Sequence, residues 1–126
     1  MAAKFVTAIN CMDGRTQVPV SDWLRARTGA HYVDTITEPG PVKLLADGLY
    51  LTRIDWMRAK VDVSVDLHGS RTIAVVAHPD CAGNPAPKET QLKQLNEAVK
   101  RVQGWRPECE VIGLWVDENW EVEPQP

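Results

Sequence analysis

Three residues carrying soft metal-ligand atoms stand in two short stretches, Cys11 in Cys11-Met12-Asp13-Gly14-Arg15 and His78 with Cys81 in His78-Pro79-Asp80-Cys81. Each stretch directly follows an apolar run, Phe5 to Ile9 in the first case and Thr72 to Ala77 in the second. If these runs are neighbouring parallel strands, their C-terminal ends share one edge of the sheet, and Cys11, His78 and Cys81 converge on one ion. Two thiolates and one neutral imidazole suit zinc, and they leave a fourth tetrahedral position for water or a carboxylate. Structural zinc usually has four protein ligands, so three point to an exchangeable position. The bland reading of the same residues is a pair of buried thiols at strand ends. Asp13 can take the fourth position, or turn away and accept a hydrogen bond from water on the metal. An Arg15 fork bound to Asp13 favours the second role; the bland reading of that pair is a surface ion pair beside a turn. A nucleophilic Cys11 of the thiol or phosphatase kind fits less well, because Cys11 to Arg15 is shorter than a Cys-x5-Arg phosphate cradle.

These residues need a frame. Phe5 to Ile9 reads as an interior strand, and Gly14 permits the sharp turn that follows. A helix starting near Pro19 to Asp22 carries Val20, Trp23 and Leu24 on one face and stops at Gly29. Tyr32 to Ile36 is a more polar strand, so it belongs away from the centre of the sheet. Glu38-Pro39-Gly40-Pro41 then breaks the chain beside the expected metal position. Pro41 opens a helix through Leu44, Leu45 and Leu49, weakened by Gly48. From Arg53, the spacing of Ile54, Met57, Val61, Val65 and His68 predicts a crossover helix, although Val61, Val63 and Val65 also fit a strand. After Gly69-Ser70, Thr72 to Ala77 has the two-sided apolarity of a central parallel strand. Lys88 to Trp105 is an amphipathic helix with Gly104 at its end, and Glu110 to Val116 is the last strand. The tail from Asp117 reads as surface. The expectation is one domain, residues 1–126, with an α/β three-layer fold: a small, mainly parallel four-stranded sheet with flanking helices.

Bulk properties narrow the partners. The 126 residues include 14 basic and 17 acidic side chains, a net charge of −3, and neither sign gathers into a stripe for nucleic acid. No apolar stretch approaches the length of a membrane span, and no signal-peptide core is visible, so a cytoplasmic location is expected. Three cysteines do not make a disulfide framework. Cys109 has no companion ligand and reads as a free thiol. Some of the five tryptophans must be core, while others can cover a subunit surface.

Cys11-Met12-Asp13-Gly14-Arg15, followed by His78-Pro79-Asp80-Cys81 and Gly83, resembles the zinc signature of the beta-class carbonic anhydrases, Cys-x-Asp-x-Arg with His-x-x-Cys. The likeness in element order runs from Phe5 to about Val122. It implies that Cys11, His78 and Cys81 bind Zn2+, that Asp13 and Arg15 control access, and that Asp13 sits on zinc only in a closed, inactive state. It further implies a zinc-dependent lyase: reversible hydration of carbon dioxide to bicarbonate and a proton through attack of zinc-bound hydroxide, in a homodimer or higher homo-oligomer. His31 and His68 are candidate proton carriers, though each has an ordinary structural or surface reading. The chain departs from the family in three ways, as a compact or divergent member would. Thr35-Ile36-Thr37-Glu38-Pro39-Gly40 stands where many members have Arg-Asn-Ala-Gly, the glycine after the second cysteine is displaced to Gly83, and the N-terminal helical arm is expected to be lacking. The alternatives are a zinc-binding protein of this fold without hydration activity, with a structural or regulatory role, or a related hydrolase of carbonyl sulfide or carbon disulfide.

Overall fold

From Val6 to Cys11 every side chain of the first strand, β1 (Phe5–Cys11), is buried. It is flanked on both sides, by β2 (Tyr32–Glu38) and β3 (Thr72–Ala77), each paired to it in parallel. The computed structural model describes residues 2–126. β3 pairs in parallel with β4 (Glu110–Val116), and β4 pairs antiparallel with a short β5 (Val122–Pro124), giving the order β2-β1-β3-β4-β5. β3, the most apolar run, lies at the middle of this order, and the polar β2 lies at one edge.

Alternation along the strands separates two apolar layers. Ile9, Ile73, Val75 and Ala77 face a core completed by α2 (Pro41–Asp47), α3 (Leu51–His68) and α4 (Lys88–Trp105). Val6, Ala8, Ala74, Val76, Leu114 and Val116 face the other way, onto Val20 and Leu24 of α1 (Gln17–Thr28). The fold is therefore α/β in three layers, as expected.

Several details differ from the sequence reading. The sheet has five strands, not four. The tail returns along the outer edge of β4, where Val116 pairs with Val122 and Leu114 with Pro124, because an unpaired β4 edge offers donors and acceptors that need partners. α1 begins at Gln17, after a 3-10 turn at Gly14–Thr16. α2 stops at Asp47 because Gly48 takes a left-handed conformation, with φ 66°, which leaves Leu49 outside the helix and exposed. α3 is one continuous helix: Val61 and Val65 are buried while Val63 points outward, as the helical period requires. Gly104 lies inside α4, which ends at Trp105. Gly29 does end α1, with φ 73°.

Candidate metal centre

Because β1 and β3 are adjacent and parallel, with Ile9 opposite Val75, the chain leaves both strands at the same sheet edge. There the Sγ atoms of Cys11 and Cys81 come to 3.8 Å, and these two sulfurs and a ring nitrogen of His78 all lie within 4.8 Å of one another. All three residues are buried. The His78 ring is held by its Nδ1, which donates to the Pro79 carbonyl at 2.7 Å, since a carbonyl can only accept. That fixes the tautomer and leaves the lone pair of Nε2 free, and this buried atom has no hydrogen-bond partner among the described residues.

Neighbouring elements shape the two loops. Asp80 adopts a left-handed conformation, φ 54°, which turns the chain sharply between His78 and Cys81. Gln91 of α4, itself buried, donates to the carbonyls of His78 at 2.9 Å and Ala86 at 3.1 Å. On the other side, Gly83 lies against Pro39 and Gly40 so closely that a Cβ at position 83 would stand 2.6 Å from the Pro39 carbonyl carbon. The Pro-Gly break after β2 is thus packed beside the centre, as its sequence predicts. Gln17 Nε2 donates to the Cys11 carbonyl at 2.7 Å and to that of Asp13 at 3.1 Å, bracing the first loop.

Asp13 is turned to Arg15. Arg15 Nη2 lies 2.7 Å from Asp13 Oδ2, Nε contacts both carboxylate oxygens, and the Arg15 amide donates to Oδ1 at 2.9 Å. The same guanidinium reaches the second loop, through Nη1 to Asp80 Oδ2 and Nη2 to the Asp80 carbonyl, both at 3.2 Å. Its remaining face lies 4.5 Å from the ring centre of Trp120. Arg15 holds the Asp13 carboxyl down at about 2, well below the usual carboxylate range, so it is ionised. Burial pushes the Cys11 thiol up, but His78 and the backbone at Gly40 and Asp13 outweigh it and bring the thiol down to about 7. Cys81 is shifted upward by burial and by Cys11. His78 is pulled down by burial, raised by Cys11 and the Pro79 carbonyl, and ends above its ordinary value. An open cavity of about 630 Å³, lined in part by Asp13, Arg15, Asp80, Cys81 and Pro85, connects this region to solvent.

The residues fit zinc. Two sulfurs held about 2.3 Å from one tetrahedral ion stand about 3.8 Å apart, which is the spacing found, and it is far too long for a disulfide bond. The unpaired Nε2 would supply the third ligand atom. All five sequence-predicted residues, Cys11, Asp13, Arg15, His78 and Cys81, are brought together. His31 and His68 are not: His68 Nδ1 lies 2.6 Å from Asp34, its ring stacks on Phe5 at the start of β1, and His31 Nδ1 accepts from the Lys4 amide, so both sit at the opposite sheet edge. Cys109 is buried near the Ser70 carbonyl, away from the centre. Trp120, Asp80, Gln17 and Gln91 were not singled out by residue type. Only the proximity of Asp80 to the ligands in sequence could have drawn notice.

A family model described as "Putative carbonic anhydrase" matches residues 1–125. Among solved structures, the chain is similar to one of the tetrameric beta-carbonic anhydrases of Sordaria macrospora, with a TM-score of 0.61 at 11% identity over 98% of this chain and 81% of that one. It is also similar to the beta-carbonic anhydrase CafA of Aspergillus fumigatus, with a TM-score of 0.53 at 13% identity over 99% and 76%. No curated protein matches by sequence. With the family model spanning nearly the whole chain, the chain belongs to this putative carbonic anhydrase family, and it shares the fold of the beta-carbonic anhydrases.

Proposed function

We propose that this protein is a zinc-dependent lyase that catalyses the reversible hydration of carbon dioxide to bicarbonate and a proton. The observation that carries the reading is the trio of Cys11, Cys81 and the unpaired His78 Nε2, with sulfurs at tetrahedral spacing. Zinc held there by Cys11, His78 and Cys81 would supply Lewis acidity that makes water a stronger acid. Asp13, ionised and turned to Arg15, is the acceptor that orients the attacking water. Arg15 holds Asp13 and keeps it from the fourth position. The buried sulfurs and His78 form the inner wall, and the open cavity beside Cys81 admits the gas and lets the proton pass to solvent or buffer. Residues 1–126 act as one cytoplasmic domain. Assembly as a homodimer or higher homo-oligomer is supported by the exposed apolar side chains of Leu49, Leu51, Trp56 and Leu67; sedimentation should give a mass above the 14.0 kDa of one chain. No helix among the described residues is long and apolar enough to cross a membrane.

A second reading, a zinc-binding protein without hydration activity, is favoured by one observation. At the altered segment after β2, Glu38 is committed to Arg53 at 2.9 Å and Pro39 to packing on Gly83, so this wall differs from the usual one. Stopped-flow hydration with zinc-loaded protein separates the two. The expected result is catalysis well above buffer that disappears on chelation and in Cys81→Ser. Full zinc occupancy with the buffer rate would leave only the second reading, and turnover of carbonyl sulfide or carbon disulfide alone would reassign the substrate.

A further inference from the structure

The turn between β4 and β5 delivers a side chain to the metal centre that the ligand pattern does not foretell. We propose that Trp120 is a positioning residue of this centre, whose ring, laid on the Arg15 guanidinium, holds Arg15 on Asp13 and so keeps the Asp13 carboxylate out of the fourth metal position. The inference rests on the reading that Cys11, His78 and Cys81 bind a metal.

Three observations carry it. Arg15 is a long side chain, 44% exposed, with two carboxylates to choose from, and Asp80 is 85% exposed. A guanidinium so placed loses rotamer freedom to stay on Asp13. The Trp120 face at 4.5 Å covers its open side and offsets that cost through cation–π attraction. Secondly, the same ring lies 6.3 Å from the His78 ring, so it touches both halves of the centre. Thirdly, Trp120 has φ 60°, a costly backbone conformation for a bulky side chain, and the turn is built to impose it. Asp117 Oδ1 accepts from the amides of Asn119 and Glu121, its carbonyl accepts from the Trp120 amide, and its own amide donates to Glu121. The pairing of Val116 with Val122 anchors that turn to the buried end of β4. Trp120 also packs on the core layer facing α1, so a merely structural role is the rival to exclude.

The test is azide binding to cobalt(II)-loaded protein, followed by visible absorption at fixed pH and salt, which reports access to the fourth position without turnover. Trp120→Ala and Trp120→Leu should weaken azide by about tenfold, while Trp120→Phe, which keeps an aromatic face, should stay within about twofold. In an Asp13→Asn background, Trp120→Ala should have no further effect, since the competing carboxylate is gone. Trp120→Leu and Trp120→Phe binding azide equally well would overturn the proposal even if Trp120→Ala failed to fold. So would a loss that persists undiminished with Asp13→Asn, because Trp120 would then act through the fold alone. Wild-type protein that takes up no cobalt, or gives no azide response, would instead overturn the underlying metal-site reading.

Discussion

At Gly83 a methyl group would meet the Pro39 carbonyl carbon at 2.6 Å and the Gly40 amide nitrogen at 2.9 Å, and neither is the yielding end of a side chain. Gly83→Ala should therefore force the Cys81 loop off the segment after β2. The expected cost is about 1–3 kcal/mol in urea unfolding, together with faster loss of zinc to a chelator; an unchanged midpoint would show that the two loops part freely. Gln91 works from the other side. Gln91→Leu leaves the carbonyls of His78 and Ala86 without their buried donor, at an expected cost of about 1–3 kcal/mol, with the His78 ligand atom less well fixed. The candidate ligands themselves were legible because cysteine and histidine declare their chemistry by type. Gln91 and Trp120 were not: a glutamine on an amphipathic helix reads as solvated, and a tryptophan in a charged tail reads as surface. Their roles arise from where the fold carries them.

The helices and strands were legible where one period stood alone. β3 has apolar side chains on both faces and sits at the centre of the sheet, and α4 has a clean helical stripe. In α3 the alternating Val61, Val63 and Val65 satisfied the strand period and the helix period at once, and burial decides for the helix. Truncation tests that decision. Val61→Ala should cost about 1–3 kcal/mol, whereas Val63→Ala should stay within about 0.5 kcal/mol; equal losses would place both on one face, as in a strand. β5 was not legible because three residues, one of them proline, carry too little pattern. It forms by folding back, through a short turn, onto the open edge of β4 (Glu110–Val116).

Across the whole molecule, Arg106 ties α3 to the connection between α4 and β4, with Asp62 at 3.2 Å, Asp66 at 2.5 Å and Glu108 at 3.0 Å. It holds the Asp66 carboxyl below its ordinary range. The unfolded chain then binds more protons than the folded one between the two pKa values, so stability rises with pH there. The contribution is complete above about pH 5 and is lost as pH falls through the folded value. Arg106→Gln should flatten the decline of the urea midpoint between about pH 5 and 3; a decline as steep as in wild type would show that the clamp contributes nothing. The candidate metal centre spans the chain on a larger scale. Cys11 and Cys81 are 70 residues apart, and α1, β2, α2, α3 and β3 all lie between them. An ion gripped by both thiolates would close this segment into a ring, leaving β1 before it and α4, β4 and β5 after it outside the ring. For as long as it stays bound, such a staple narrows the disorder open to the unfolded chain, by about 4 kcal/mol for a ring of this size in a chain-entropy picture.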